Sequence, residues 1–198
     1  MDPRAQRSRD RLTRAVLAFA DAGRLDDVSV SELAREAEVT RDTFYRHASS
    51  VTDLLTIAIG EKLEEFGAAA VTEMPPRSEL AAVLRASEPA LLQHIVDHAN
   101  IYRTALAGDN AAPVYRTLLR FLAGNIATGL RAYPDIAPLP PEQMDDTAIL
   151  MVSTYSAAGF VAAVREWLML GDLSDIDRAG EIIAASAPEW WRRATGRV

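Results

Sequence analysis

Between Thr40 and His47 the chain reads Thr-Arg-Asp-Thr-Phe-Tyr-Arg-His, and seven of these eight side chains carry polar atoms. Guanidinium, hydroxyl, phenol and imidazole groups are the donors and acceptors that meet phosphate oxygens and base edges. Thr40 is a good N-cap, and a helix running from Arg41 to Ala48 buries Phe44 while leaving Arg41, Thr43, Arg46 and His47 outside. An exposed helix whose first turns carry Thr, Arg and His suits the major groove.

Other chemistry finds less support. His94 and His98 stand four apart on an expected helix with Asp97 between them, a spacing at which two imidazoles could share a metal. No His-Glu-x-x-His pattern or nearby third ligand accompanies them. The pair is expected to face a ligand or solvent, and no metal or cofactor is expected. There is no Gly-x-Ser-x-Gly elbow, no phosphate-binding glycine loop and no cysteine, so an enzyme is not expected. The lack of cysteine also excludes disulfides and thiolate metal sites, and fits a cytoplasmic protein.

The elements around Thr40 form a pattern of their own. Ser29 can cap a helix whose Glu32 reaches back toward it, and Leu33, Ala34 and Ala37 make its inner face. Glu38-Val39-Thr40 is too short to let two helices separate, so they must cross steeply, with small Ala34 at the contact. That is a helix-turn-helix. Charge is distributed accordingly. The net charge is −7, yet residues 1–47 hold nine Arg and nine acidic residues, so the whole excess of acid lies beyond them. Arg4, Arg7, Arg9, Arg11 and Arg14 give the head a basic face for phosphate, while the acidic body repels nucleic acid.

This stretch resembles the DNA-binding head of the TetR/AcrR transcriptional regulators. The resemblance is carried by Leu33-Ala34, Ala37, Val39, Thr40, Phe44-Tyr45, His47 and Leu54, and covers about Arg9 to Ile59. It implies that Tyr45 and His47 contact the phosphate backbone and that Ser31, Arg41, Asp42, Thr43 and Arg46 sit at the groove, with Thr40 beside them. Three positions depart from the pattern. Glu38 stands where the family has Gly, at a turn position that needs positive φ, at a cost of about 1 kcal/mol. Ala48 replaces a Phe, and Val51 replaces a Lys at the start of the next helix.

Before the head, Ser8 is expected to cap a helix from Arg9 to Ala22, closed by Gly23. After it, Ser50 caps a long helix, 51–71, which begins in the head and continues into the body. Met74-Pro75-Pro76 marks the boundary beyond it. The expected domains are 1–52, DNA-binding, and 53–198, effector-binding and dimerising. The body reads as helices throughout: Ser78 to Ser87, a second helix started by Pro89, a short one to Ala107, Pro113 to Tyr133, Glu142 to Leu170, and Asp175 to Ala187. Gly108-Asp109-Asn110 is a loop. The fold class is therefore all-α, with 49% hydrophobic residues ample for a core.

From Thr147 to Val164 there is no charge, a run long enough to raise a membrane span. Thr147, Ser153, Thr154 and Ser156 argue against it, and no membrane is expected. A helix apolar all round is buried on both sides. Ser153, Ser156, Gly159 and Ala163, with Ile176, Ala179 and Ile183 of the last long helix, are expected to meet a second chain, as TetR-like dimers do through a four-helix bundle. Candidate liners of a ligand cavity are His94, His98, Tyr102, Phe121, Asn125, Met151, Tyr155 and Trp167. Singly each is better read as core, but together they make a pocket plausible. The expectation is a homodimeric, ligand-responsive regulator, most simply a repressor, binding a pseudo-palindromic double-stranded operator and released by a small-molecule effector. The alternative is a dimeric small-molecule-binding protein with a weakened head.

Overall fold

The computed structural model describes residues 3–70, 74–107 and 111–197. Among these residues there are α-helices and short 3₁₀ turns and no strand, the all-α class expected. The helices are α1 (Pro3–Asp21), α2 (Val30–Glu36), α3 (Arg41–Tyr45), α4 (Val51–Ala70), α5 (Leu80–Asp97), α6 (Ala99–Ala105), α7 (Ala111–Ala132), α8 (Asp146–Leu170), α9 (Ile176–Ser186) and α10 (Glu189–Ala194). The expected loop Gly108-Asp109-Asn110 and the helix end at Val71 lie outside the described residues. Contacts divide the chain into two compact units, Met1–Leu63 with His98–Thr117 and Glu64–Asp97 with Leu118–Val198. The first unit includes α6 because α6 packs on α1: the Thr104 hydroxyl donates to the Ala20 carbonyl at 2.8 Å.

In the first unit, α1 starts earlier than Ser8. Pro3 suits the first position of a helix, where its missing N–H costs nothing. Ser8 is then interior, and its hydroxyl donates to the Ala5 carbonyl at 2.9 Å. The helix closes as expected at Gly23, whose φ of 67° lets the Gly23 and Arg24 N–H groups reach the carbonyls of Ala20 and Phe19. Leu12, Val16, Leu33, Phe44, Leu54, Leu55 and Ile59 are buried, each worth about 1.5–3 kcal/mol against exposure.

In the second unit, α5 runs unbroken through Pro89, which does not begin a new helix. Proline removes the N–H that would bond the Arg85 carbonyl, but its φ is helical, and the buried stripe of Leu80, Leu91, Leu92 and Ile95 continues past it. Leu80, Leu130, Ile136, Trp190 and Ala194 form one core cluster. α8 begins at Asp146 rather than Glu142. Asp145 caps it by accepting from the Ala148 N–H at 2.8 Å, while Pro141–Gln143 form a separate 3₁₀ turn. α8 is long and apolar enough to cross a membrane by length and composition. Its stripe of Ile149, Ser153, Ala157, Val161, Val164 and Leu168 is buried in its own unit. The opposite side is not covered: Leu150 is 65% exposed and Met151 68%.

Candidate functional site

The α2-turn-α3 segment is built by two side-chain caps. Ser29 accepts from the Glu32 N–H at 3.2 Å and Thr40 from the Thr43 N–H at 3.1 Å, as the spacing predicts. Ala34 and Ala37 are buried beneath the crossing. Between the helices Glu38 takes φ 53°, the one positive φ of a non-glycine residue among those described. Its carboxylate lies 3.2 Å from Arg11, and both side chains are largely in solvent.

α3 is shorter than expected. Its ladder ends at Tyr45, and His47 N–H bonds Phe44 O at 2.8 Å in a tighter last turn. Phe44 is fully buried and anchors the helix. The Thr40 and Thr43 hydroxyls lie 2.9 Å apart, and Arg46 donates to Thr43 Oγ1 at 3.0 Å, so three residues one turn apart form a linked polar edge. That edge places the Arg46 guanidinium beside the Thr43 hydroxyl on the exposed side of α3. Tyr45, with its ring edge-on to Phe44 at 5.4 Å, is 51% exposed, and Ser31, Arg41 and Asp42 are exposed as well.

His47 stands apart from this group. Its Nε2 is 2.9 Å from Ser8 Oγ, a contact no local pattern could have announced across 39 residues of chain. Desolvation, then Arg46, then Arg9, hold its pKa below the ordinary imidazole value, so it is neutral at pH 7. Two of the basic residues expected to meet phosphate are engaged within the unit: Arg9 is ion-paired with Glu61, and Arg11 with Glu38. The next helix is capped by Ser50, which accepts from the Asp53 N–H at 3.0 Å, while Asp53 accepts from the Ser49 N–H at 2.8 Å. A carboxylate therefore sits at the start of α4, where Val51 stands in place of the Lys that the resemblance implies.

The expected ligand residues separate. Phe121, Asn125 and Tyr155 line a cavity of about 1090 Å³ in the second unit, together with Phe66, Phe160, Trp190 and Trp191. His94 packs its ring against Phe66 at 4.9 Å but is outside the lining. α5 ends at Asp97, so His98 does not share a helix with His94; its Nε2 lies 3.2 Å from Lys62 Nζ in the first unit. Tyr102 is buried in the first unit, where burial pushes its phenol pKa up. Met151 and Trp167 are also outside the lining, and Met151 is exposed. The expected interface residues divide too. Ser153 and Ala179 are buried within their own unit, because the stripe that packs α8 inward passes through Ser153. Ser156, Gly159, Ala163 and Ile183 line the cavity, and Ile176 is half-buried. Among the described residues no cluster of three or more His, Asp or Glu could hold a metal.

No protein-family model and no curated protein matches the sequence. Solved structures do. RolR without ligand aligns over 96% of this chain and 97% of its own, at 17% identity and TM-score 0.64. A candidate tetR family transcription regulator from Shewanella sp. PV-4 aligns over 94% of this chain and 97% of its own, at 16% identity and TM-score 0.60. The chain has the TetR-type regulator fold. The dihydroxyacetone kinase operon activator DhaS shares it over 91% of this chain and 96% of its own, at 16% identity and TM-score 0.57. The helix-turn-helix described above lies in the first unit, and the cavity lies in the second.

Proposed function

We propose that the chain is a homodimeric DNA-binding transcriptional regulator, a repressor that leaves its operator when a small molecule occupies the body cavity. The observation that carries this reading is the linked edge Thr40, Thr43 and Arg46 on a short exposed helix whose buried face is fixed by Phe44. Preformed donors on such a helix suit the major groove, where Arg41 and Arg46 reach base edges or phosphates and Tyr45 reaches the backbone. The uncovered side of α8, with Leu150 and Met151, supplies an apolar face for a second copy. Two-fold pairing matches a pseudo-palindrome with half-sites about 34–36 Å apart. The effector acts by preferring the dimer geometry with the heads at the wrong separation. No membrane and no cofactor enter this reading, and the working compartment is the cytoplasm.

The test is a gel shift with DNA flanking the protein's own gene. Tyr45→Ala and Arg46→Ala should each weaken binding by about tenfold or more without lowering thermal stability. Unchanged affinity in both removes the assignment of α3. A second reading, a small-molecule-binding dimer with a weakened head, is favoured by the Glu38 carboxylate on Arg11 and the Asp53 carboxylate at the start of α4. It predicts no specific shift with any duplex.

A further inference from the structure

We propose that the cavity of the second unit takes an apolar cation, an amine or onium ion bearing more than one ring, and that Glu88 reads its charge. This rests on the reading of that cavity as the effector site. Among the described residues lining it, the charged ones are Glu64 and Glu88, and none is Lys, Arg or His. Six aromatic side chains line the same space: Phe66, Phe121, Phe160, Trp190 and Trp191, with Tyr155, which is largely exposed. Aromatic faces attract cations and repel anions. An anionic ligand would give up its hydration and find no lining cation to replace it, the charged lining residues being the exposed Glu64 and the buried Glu88.

Glu88 is the more telling carboxylate, because it is only 8% exposed. A charge so placed needs a partner. Arg197, which is not part of the lining, supplies one: its Nη1 is 3.2 Å from both carboxylate oxygens. Arg85 anchors the same segment by donating from Nη1 to the Thr195 carbonyl at 2.7 Å. α9 packs close on the carboxylate at Gly180, where an added Cβ would stand in ordinary contact, 3.8 Å from Glu88 Oε1 and 3.6 Å from Leu92. The site therefore holds one buried negative charge, balanced by a cation that is not part of the lining. A ligand cation arriving from the cavity side takes Arg197's place or shares the carboxylate with it.

The test uses two ions of nearly identical size and opposite charge, tetraphenylphosphonium and tetraphenylborate, added to the full chain, with quenching of Trp190 and Trp191 fluorescence and calorimetry as readouts. The cation should bind about tenfold tighter or better than the anion. Glu88→Gln should lose about tenfold of the cation affinity, and Arg197→Gln, which frees the carboxylate, should gain a similar factor. If Glu88→Gln fails to fold, as checked by circular dichroism, Arg197→Gln carries the test alone. Anion binding as tight as cation binding, binding of neither ion, or cation affinity unchanged in the folded variants overturns the proposal. Cation binding that follows these variants yet leaves operator affinity unchanged supports the charge preference and overturns the effector reading.

Discussion

Glu38 places a carbon side chain where the backbone runs at φ 53°, and that choice can be measured. The left-handed region costs a residue bearing Cβ roughly 1–2 kcal/mol, because Cβ crowds the following carbonyl. Glycine escapes this but loses more freedom on folding, which returns roughly 0.4–1 kcal/mol. Glu38→Gly and Glu38→Ala both delete the exposed pair with Arg11, worth about 0–1 kcal/mol, so that contribution cancels between them. The difference left is the φ effect alone, about 1 kcal/mol in favour of Gly, or about 2–4 °C in Tm for a chain of this length. Denaturant melts of the two variants under one buffer measure it. Both variants also release Arg11, so both should bind operator more tightly, and equally so. Equal stability of Gly and Ala would refute the strain argument, and tighter DNA binding by only one would refute the charge argument.

Other predictions follow from single contacts. His47 should titrate below pH 6.5 by NMR, because its folded-state pKa is depressed. In the window between that folded midpoint and 6.5 the unfolded chain binds more protons, so stability falls as pH drops through it, and His47→Gln should flatten the slope; a midpoint above 6.5 contradicts this. Pro89→Ala should restore a bond to the Arg85 carbonyl within α5 and raise stability by about 1–3 kcal/mol, whereas a loss would mean that proline is set there by packing. If the exposed side of α8 is the face on which the proposed dimer forms, Met151→Lys combined with Leu150→Lys should give a monomer by light scattering while leaving helicity intact; a persistent dimer would move the interface elsewhere. Replacing Arg46 with Ala should also reduce the salt dependence of operator binding by about one phosphate contact.

Local chemistry was legible in the sequence, and distant contacts were not. Ser29, Thr40, Ser50 and Gly23 act where their types and spacing said they would, because a cap is decided within four residues. The positive φ at Glu38 was legible only through the family resemblance, since no local rule places a glutamate there. Pro89 misled, because proline marks a helix start only when nothing else holds the helix together across it. Pairings such as Ser8 with His47 and Glu88 with Arg197 join residues 39 and 109 apart, and spacing carries no trace of them. The cavity residues fared likewise: Phe121, Asn125 and Tyr155 met because α7 and α8 face one space, while Tyr102 lies in the other unit, a division that periodicity does not encode.

The central claim is that two copies present the Thr40, Thr43 and Arg46 edge to one duplex. Selection of bound duplexes from a random pool by the full chain tests it directly. The account predicts enrichment of a two-fold symmetric site whose half-sites lie about 10 base pairs apart, lost with Arg46→Ala. Enrichment of an asymmetric site, or of no sequence at all, would contradict it.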